Sequence, residues 1–154
     1  MTGQKILLPY NFLIYDQKAL DFVISTFAHL NDVEITIFNA YTPVPEIDTR
    51  GAPIMEKLHA SLNYLSKKVK EQEAGLKAAK QKLLQNGFSA HQIHMIFKPR
   101  KRDIASEIID LALDQQFNVI VINHKPGKVT RFFTGSLFNK VVNALEGKVV
   151  CIVS

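Results

Sequence analysis

The chain has 154 residues, 47% of them hydrophobic and 21% charged, a length and balance that suit one domain over residues 1–154 with its own core and exclude a disordered or fibrous chain. No apolar run approaches the roughly eighteen residues of a membrane span, and "MTGQKILLPY" enters a strand-like run with no export leader, so a cytoplasmic location is expected. The formal charge of +5 leaves acidic partners unrepelled, and the single cysteine, Cys151, has no internal disulfide partner and reads as a small packed hydrophobe in "KVVCIVS".

In chain order, "KILLPY" (Lys5 to Tyr10) is the first run whose length and β-branched or large apolar content favour a strand. Leu20, Val23, Ile24, Phe27 and Leu30 then recur at helical spacing, with Asp16 as the N-cap. "VEITIFNAY" (Val33 to Tyr41) is the second strand. From about Ile54 to Asn86, Leu58, Leu62, Leu65, Val69, Gln72, Leu76, Ala79 and Leu83 alternate steps of four and three, the seam of a coiled-coil-like helix. At about 1.5 Å per residue that helix is roughly 50 Å long, so it must overhang a sheet of ordinary strands or bend, with Gly75 as the bending point. Its lysines, Lys67, Lys68 and Lys70 among them, read as a solvated face.

"HQIHMIF" (His91 to Phe97) is the third strand, followed by a helix starting near Asp103 that presents Ile104, Ile108, Leu111 and Ala112. "NVIVIN" (Asn118 to Asn123) is the fourth strand. A helix from Ser136, with Leu137, Val141, Val142 and Leu145 on one face, ends by Gly147, and "KVVCIVS" (Lys148 to Ser154) closes the chain. Alternating strands and helices imply right-handed crossovers, and hence an α/β fold: a five-stranded, mainly parallel sheet with helices on both faces, Rossmann-like, for which the common order, 3-2-1-4-5, is expected. Ligands of such sheets settle beyond the carboxyl ends of the strands, where the order reverses. That points to the loops after strands one and four and to the helix start at Ser136, whose free N–H groups suit an anion.

Catalytic motifs are thin. "PGKV" lacks the earlier glycine and the Ser or Thr of a P-loop, and "TGSLF" lacks the last glycine of a nucleophile elbow. His91 and His94, three apart on one predicted strand, point to opposite faces and cannot chelate one metal.

From "VIVIN" through "GSLFNKVV" the chain resembles the universal stress protein family, and the resemblance extends over "KILLPYN", "ITIFNAY", the long second helix, "DIASEIIDLA" and "KVVCIVS". The resemblance implies an adenine-nucleotide-binding fold. ATP-binding members carry after strand four a glycine, two residues, a second glycine, nine residues and then Gly-Ser or Gly-Thr. Here Gly135 and Ser136 keep the last pair, while Asn123 takes the place of the first glycine and Pro126 that of the second, with Gly127 one position later and the segment onward to Gly135 one residue shorter than the family pattern. Asparagine tolerates left-handed backbone, whereas proline offers no N–H. The family's aspartate after strand one corresponds to Asn11, and the small apolar residue touching adenine to Ala40. The implied nucleotide-contacting set is Asn11, Ala40, Asn123, Lys125, Gly127, Gly135, Ser136 and Leu137, with ATP or another adenine nucleotide as ligand and Mg if it is ATP.

Lys98, Arg100, Lys101 and Arg102 after strand three, and Lys125, Lys128 and Arg131 after strand four, are read as cations that compensate for the lost glycine donors at a phosphate. The expected function is a non-catalytic stress-response binding module. The alternatives are a member that no longer binds ATP and acts through protein partners, a weak ATPase, and a polyanion-contacting protein. The resemblance also implies a homodimer through Lys148 to Ser154, an apolar edge strand.

Overall fold

The computed structural model describes residues 3–10, 14–45, 55–123 and 137–154. Within them the apolar runs form five strands: β1 (Gln4–Pro9), β2 (Val33–Tyr41), β3 (Ile93–Pro99), β4 (Val119–Asn123) and β5 (Val149–Val153). Every neighbouring pair is parallel, in the expected order β3-β2-β1-β4-β5. Between them run α1 (Ile14–Phe27), α2 (Met55–Gln85), α3 (Ile104–Asp114) and α4 (Leu137–Ala144).

A parallel sheet buries both faces, and period-2 alternation sorts the side chains between them. Ile6, Leu8, Ile35, Ile37 and Val121 join Leu20 and Val23 of α1 and Leu76, Ala79 and Leu83 of α2 in one core. Leu7, Phe38, Ile120 and Ile122 join Ile108, Leu111 and Ala112 of α3 and Val141 of α4 in the other. Among the described residues each face thus carries two helices. No helix among them is long and apolar enough to cross a membrane.

Several boundaries depart from the expectations. α1 begins at Ile14, so Asp16 is a first-turn residue rather than the N-cap. β3 starts only at Ile93, and His91 sits in a 3-10 turn, Ala90–Gln92, which removes the premise that both histidines share a strand. Val142, expected on the inward face of α4, is 43% exposed, while Val141 and Leu145 are buried. α2 runs without interruption through Gly75 and overhangs: its core residues Leu76, Ala79 and Leu83 all lie in its last third, whereas Leu58, Leu62, Leu65 and Val69 are only half-buried. It ends where Gly87, at φ 108°, turns the chain into the left-handed region and lets Phe88 N–H donate to Leu83 O at 3.2 Å.

The amino edge is tied by two amide side chains. Gln92, 5% exposed, donates to Leu30 O and Val33 O at 2.9 and 3.0 Å and accepts from Ser89 N–H at 2.9 Å. Asn118 Oδ1 accepts from Lys5 N–H at 2.8 Å, its own N–H donates to Lys5 O, and its carbonyl accepts from Val149 N–H at 3.0 Å, joining the starts of β1, β4 and β5.

Because the energy of the α2 contact is concentrated in its last third, Leu83→Ala is expected to cost about 2–5 kcal/mol in urea denaturation, and Leu62→Ala less than about 1 kcal/mol.

Candidate functional site

The sheet opens at its carboxyl end between β1 and β4. Six residue pairs link β1 to β2, from Gln4↔Val33 to Pro9↔Phe38, but among the described residues only two, Ile6↔Val119 and Leu7↔Ile120, link β1 to β4. Extending each register to the strand ends sets Asn39, Tyr10 and Asn123 level across β2, β1 and β4. Alternation directs all three to the α1 and α2 face, where Tyr10 belongs to the core beside Leu8.

Both asparagines are held the same way round. Asn39, 4% exposed, donates its Nδ2 to Tyr10 O at 2.9 Å, and Asn123 donates its Nδ2 to Asp16 Oδ1 at 3.0 Å. These partners are acceptors, so the amides cannot be flipped without setting oxygen against oxygen. The remaining atoms, Asn39 Oδ1 and Asn123 Oδ1, are buried with no hydrogen-bond partner among the described residues. Buried acceptors of this kind are ordinarily satisfied, as the saturated Gln92 at the opposite edge illustrates.

Asp16, 1% exposed, is carried in the first turn of α1, where the helix dipole favours a carboxylate. Around it lies a polar network: the Tyr10 hydroxyl accepts from Gln17 Nε2, and Lys82 of α2 donates to Gln17 Oε1 at 3.2 Å and to Asp21 at 2.7 Å. Burial, and next the charge of Asp16, raise the Tyr10 pKa above the ordinary phenol value, with the Gln17 bond opposing them, so Tyr10 remains a neutral phenol at neutral pH.

Of the residues implied by the resemblance, Ala40 and Asn123 sit at the carboxyl ends of β2 and β4, but on opposite faces, since Ala40 packs toward α3. Leu137 opens α4. Asn11, Lys125, Gly127, Gly135 and Ser136 lie outside the described residues, as do Lys128 and Arg131.

Two cations of the basic turn after β3 pair with α3. Lys98 falls on the α3 face, over the Phe38 ring at 5.6 Å, and pairs with Glu107 at 3.4 Å. Arg102 pairs with Asp110, and Lys101 and Arg102 donate their backbone N–H groups to Glu107 Oε1 at 2.8 and 3.0 Å. Asp103 caps α3 by accepting from Ser106 N–H at 2.9 Å. Lys98 and Arg102 are therefore each paired with an α3 carboxylate. No group of three or more His, Cys, Asp or Glu among the described residues could hold a metal. An open groove of about 420 Å³, lined by Lys5, Asp32, Glu34 and His91 among others, lies at the amino edge, away from the strand ends where ligands of this fold class settle.

The family model for the universal stress protein family matches residues 3–152. The chain belongs to the universal stress protein family. No curated protein sequence matches it. Solved universal stress proteins share its fold. That from Lactobacillus plantarum is 14% identical with a TM-score of 0.69, covering 100% of this chain and 99% of its own. One from Archaeoglobus fulgidus, solved in complex with dAMP, is 17% identical with a TM-score of 0.64, covering 100% of both chains. A third, solved in complex with cAMP, is 16% identical with a TM-score of 0.64, covering 99% of this chain and 98% of its own. Within this family member, the features that sequence reasoning passed over are Asn39, Tyr10 and the bond between Asp16 and Asn123. Strand alternation gave their faces, but only the register sets them level.

Burial by itself would raise the Glu107 pKa, but the N–H donors of Lys101 and Arg102 and the Lys98 ammonium outweigh it and hold the carboxyl below its ordinary value. A lowered folded pKa stabilises the fold above the unfolded pKa, and the stabilisation disappears as pH falls through the folded value. Glu107→Gln is expected to lose about 1–3 kcal/mol at pH 7. Its difference from the wild type should narrow below about pH 4.3 in urea titrations, and a difference independent of pH contradicts the assignment.

Proposed function

We propose that this protein is a non-catalytic binding module of the stress response whose ligand is an adenine nucleotide or nucleoside, held at the carboxyl edge where β1 and β4 part. The observation that carries this reading is the pair of buried acceptors at the strand ends, Asn39 Oδ1 and Asn123 Oδ1, unpartnered among the described residues and on the same face of the sheet. The dAMP and cAMP complexes of two proteins with this fold support the adenine class. In this reading Asn11, Lys125, Gly127, Gly135, Ser136 and Leu137 complete the surround, with Ala40 at the neighbouring strand end, and magnesium enters only with ATP. The site works in the cytoplasm, and a domain spanning residues 1–154 carries it.

Calorimetry and thermal unfolding with adenosine, AMP, ADP, ATP and cAMP test the reading, against guanosine and uridine as controls. A ligand present at 100 times its Kd raises stability by about 2.7 kcal/mol. An unchanged Tm and no binding heat with every adenine compound reject it.

The second proposal concerns assembly. Among the described residues β5 closes the sheet with no strand outside it, and Val149 and Ile152 are 57% and 42% exposed on it. An apolar edge of this kind pairs readily with another chain, and a two-fold homodimer continues one sheet into the next. Ile152→Lys is expected to convert the dimer to monomer in sedimentation at micromolar concentration, while Leu62→Lys, on the overhanging α2 seam, leaves it intact. The reverse pattern moves the interface to α2.

A further inference from the structure

We propose that the outer edge of β3 is a docking site for an extended segment of a partner protein in which acidic and apolar residues alternate, taken up as an added antiparallel strand. The site is separate from the adenine reading, since β2 stands between β3 and the opening of β1 from β4.

The backbone shows which groups are open. Arg100 N–H donates to Tyr41 O at 2.7 Å, so the even-numbered residues of β3 turn their backbone groups toward β2 and the odd-numbered ones turn outward. Ile93 N–H is bonded to Ala90 O in the 3-10 turn, and Pro99 has no N–H. The N–H groups of Met95 and Phe97, and the carbonyls of Ile93, Met95 and Phe97, have no partner among the described residues. Donors and acceptors interleaved along an edge are what an incoming strand pairs with.

Side chains set the chemistry of the occupant. Alternation places Met95 and Phe97, half-buried, on the α2 face, with the Phe97 ring 4.5 Å from that of Tyr41. His94 and Lys98 stand on the α3 face, and the same parity continues to Arg100. An added strand therefore meets an apolar row on one face and a basic row on the other, which suits apolar and acidic side chains in alternation. Glu34 lies 3.9 Å from His94, and the buried Glu107 holds Lys98 at 3.4 Å. Arg100 and Lys101 make no ion pair among the described residues, which leaves the carboxyl end of the edge with surplus positive charge. A second copy of this chain fits poorly: paired antiparallel about Ile96, it would set His94 against Lys98 and bring Arg100 no carboxylate.

Hydrogen exchange and fluorescence anisotropy on the full chain test this. In the free protein the amides of Met95 and Phe97 are expected to exchange at least about tenfold faster than those of His94 and Ile96, which point to β2. The probe is a labelled heptapeptide of alternating Glu and Val. Antiparallel pairing sets its valines opposite Met95 and Phe97 with their backbone groups turned to β3. N-methylation of the valine amides is expected to weaken binding at least about tenfold, and N-methylation of the glutamate amides to leave it unchanged. Bound probe slows exchange at Met95 and Phe97, and Arg100→Glu with Lys101→Glu weakens it by about tenfold or more. Should that double variant fail to fold by circular dichroism, the two methylated probes decide. Met95 and Phe97 amides already protected in the free chain overturn the proposal, as do absence of binding, equal binding of the two methylated probes, and protection that appears at β5 instead.

Discussion

Everything at the carboxyl edge follows from the reversal of winding at β1. A parallel strand can be reached only by a long crossover, and two crossovers carry the chain outward through β2 to β3 before it returns to the other side of β1 for β4. The connections therefore leave the centre of the sheet in opposite directions, and among the described residues no strand pairing bridges the gap above β1 and β4. The ladder between those two strands stops after Leu7↔Ile120. A polar side chain at the end of either strand is then left beside an opening rather than against a continuous ladder.

Amide side chains mark the two ends of the sheet in opposite ways. At the amino edge Gln92 spends both of its donors and its acceptor on the backbone around it, and the result is a closed seam between β2 and β3. At the carboxyl edge Asn39 and Asn123 commit their donors and leave their acceptors buried and, among the described residues, bare. The same chemical group is structural at one end and incompletely satisfied at the other, and buried, incompletely satisfied groups are where proteins depart from packing rules for a purpose.

Strand positions and the overhang of α2 are legible in the sequence because they depend on local periodicity, whereas crossover sterics allow several strand orders and the expected one rests on the common order of such chains. The commitment of the β3 turn to α3 is legible too, once parity is applied: Lys98 shares the parity of Ile96, which directs it toward α3, and Glu107 lies within the first turn of that helix. Asp16 reads as a cap because an aspartate ahead of an apolar pattern ordinarily is one. The helix instead starts at Ile14 and carries that carboxylate inward to Asn123. The level row of Asn39, Tyr10 and Asn123 is not legible in the chain, since alternation fixes a face but not which residues of three separate strands stand side by side.

Asn118 fastens β1, β4 and β5 together at one end, and beyond Leu7 no ladder among the described residues fastens β1 to β4 at the other. Among the described residues the pair is pinned by backbone bonds at the tail alone. Beyond Leu7 the two strands are therefore held by side-chain packing and by bonds made to their ends from α1, such as Asn123 Nδ2 to Asp16 Oδ1, rather than by a ladder.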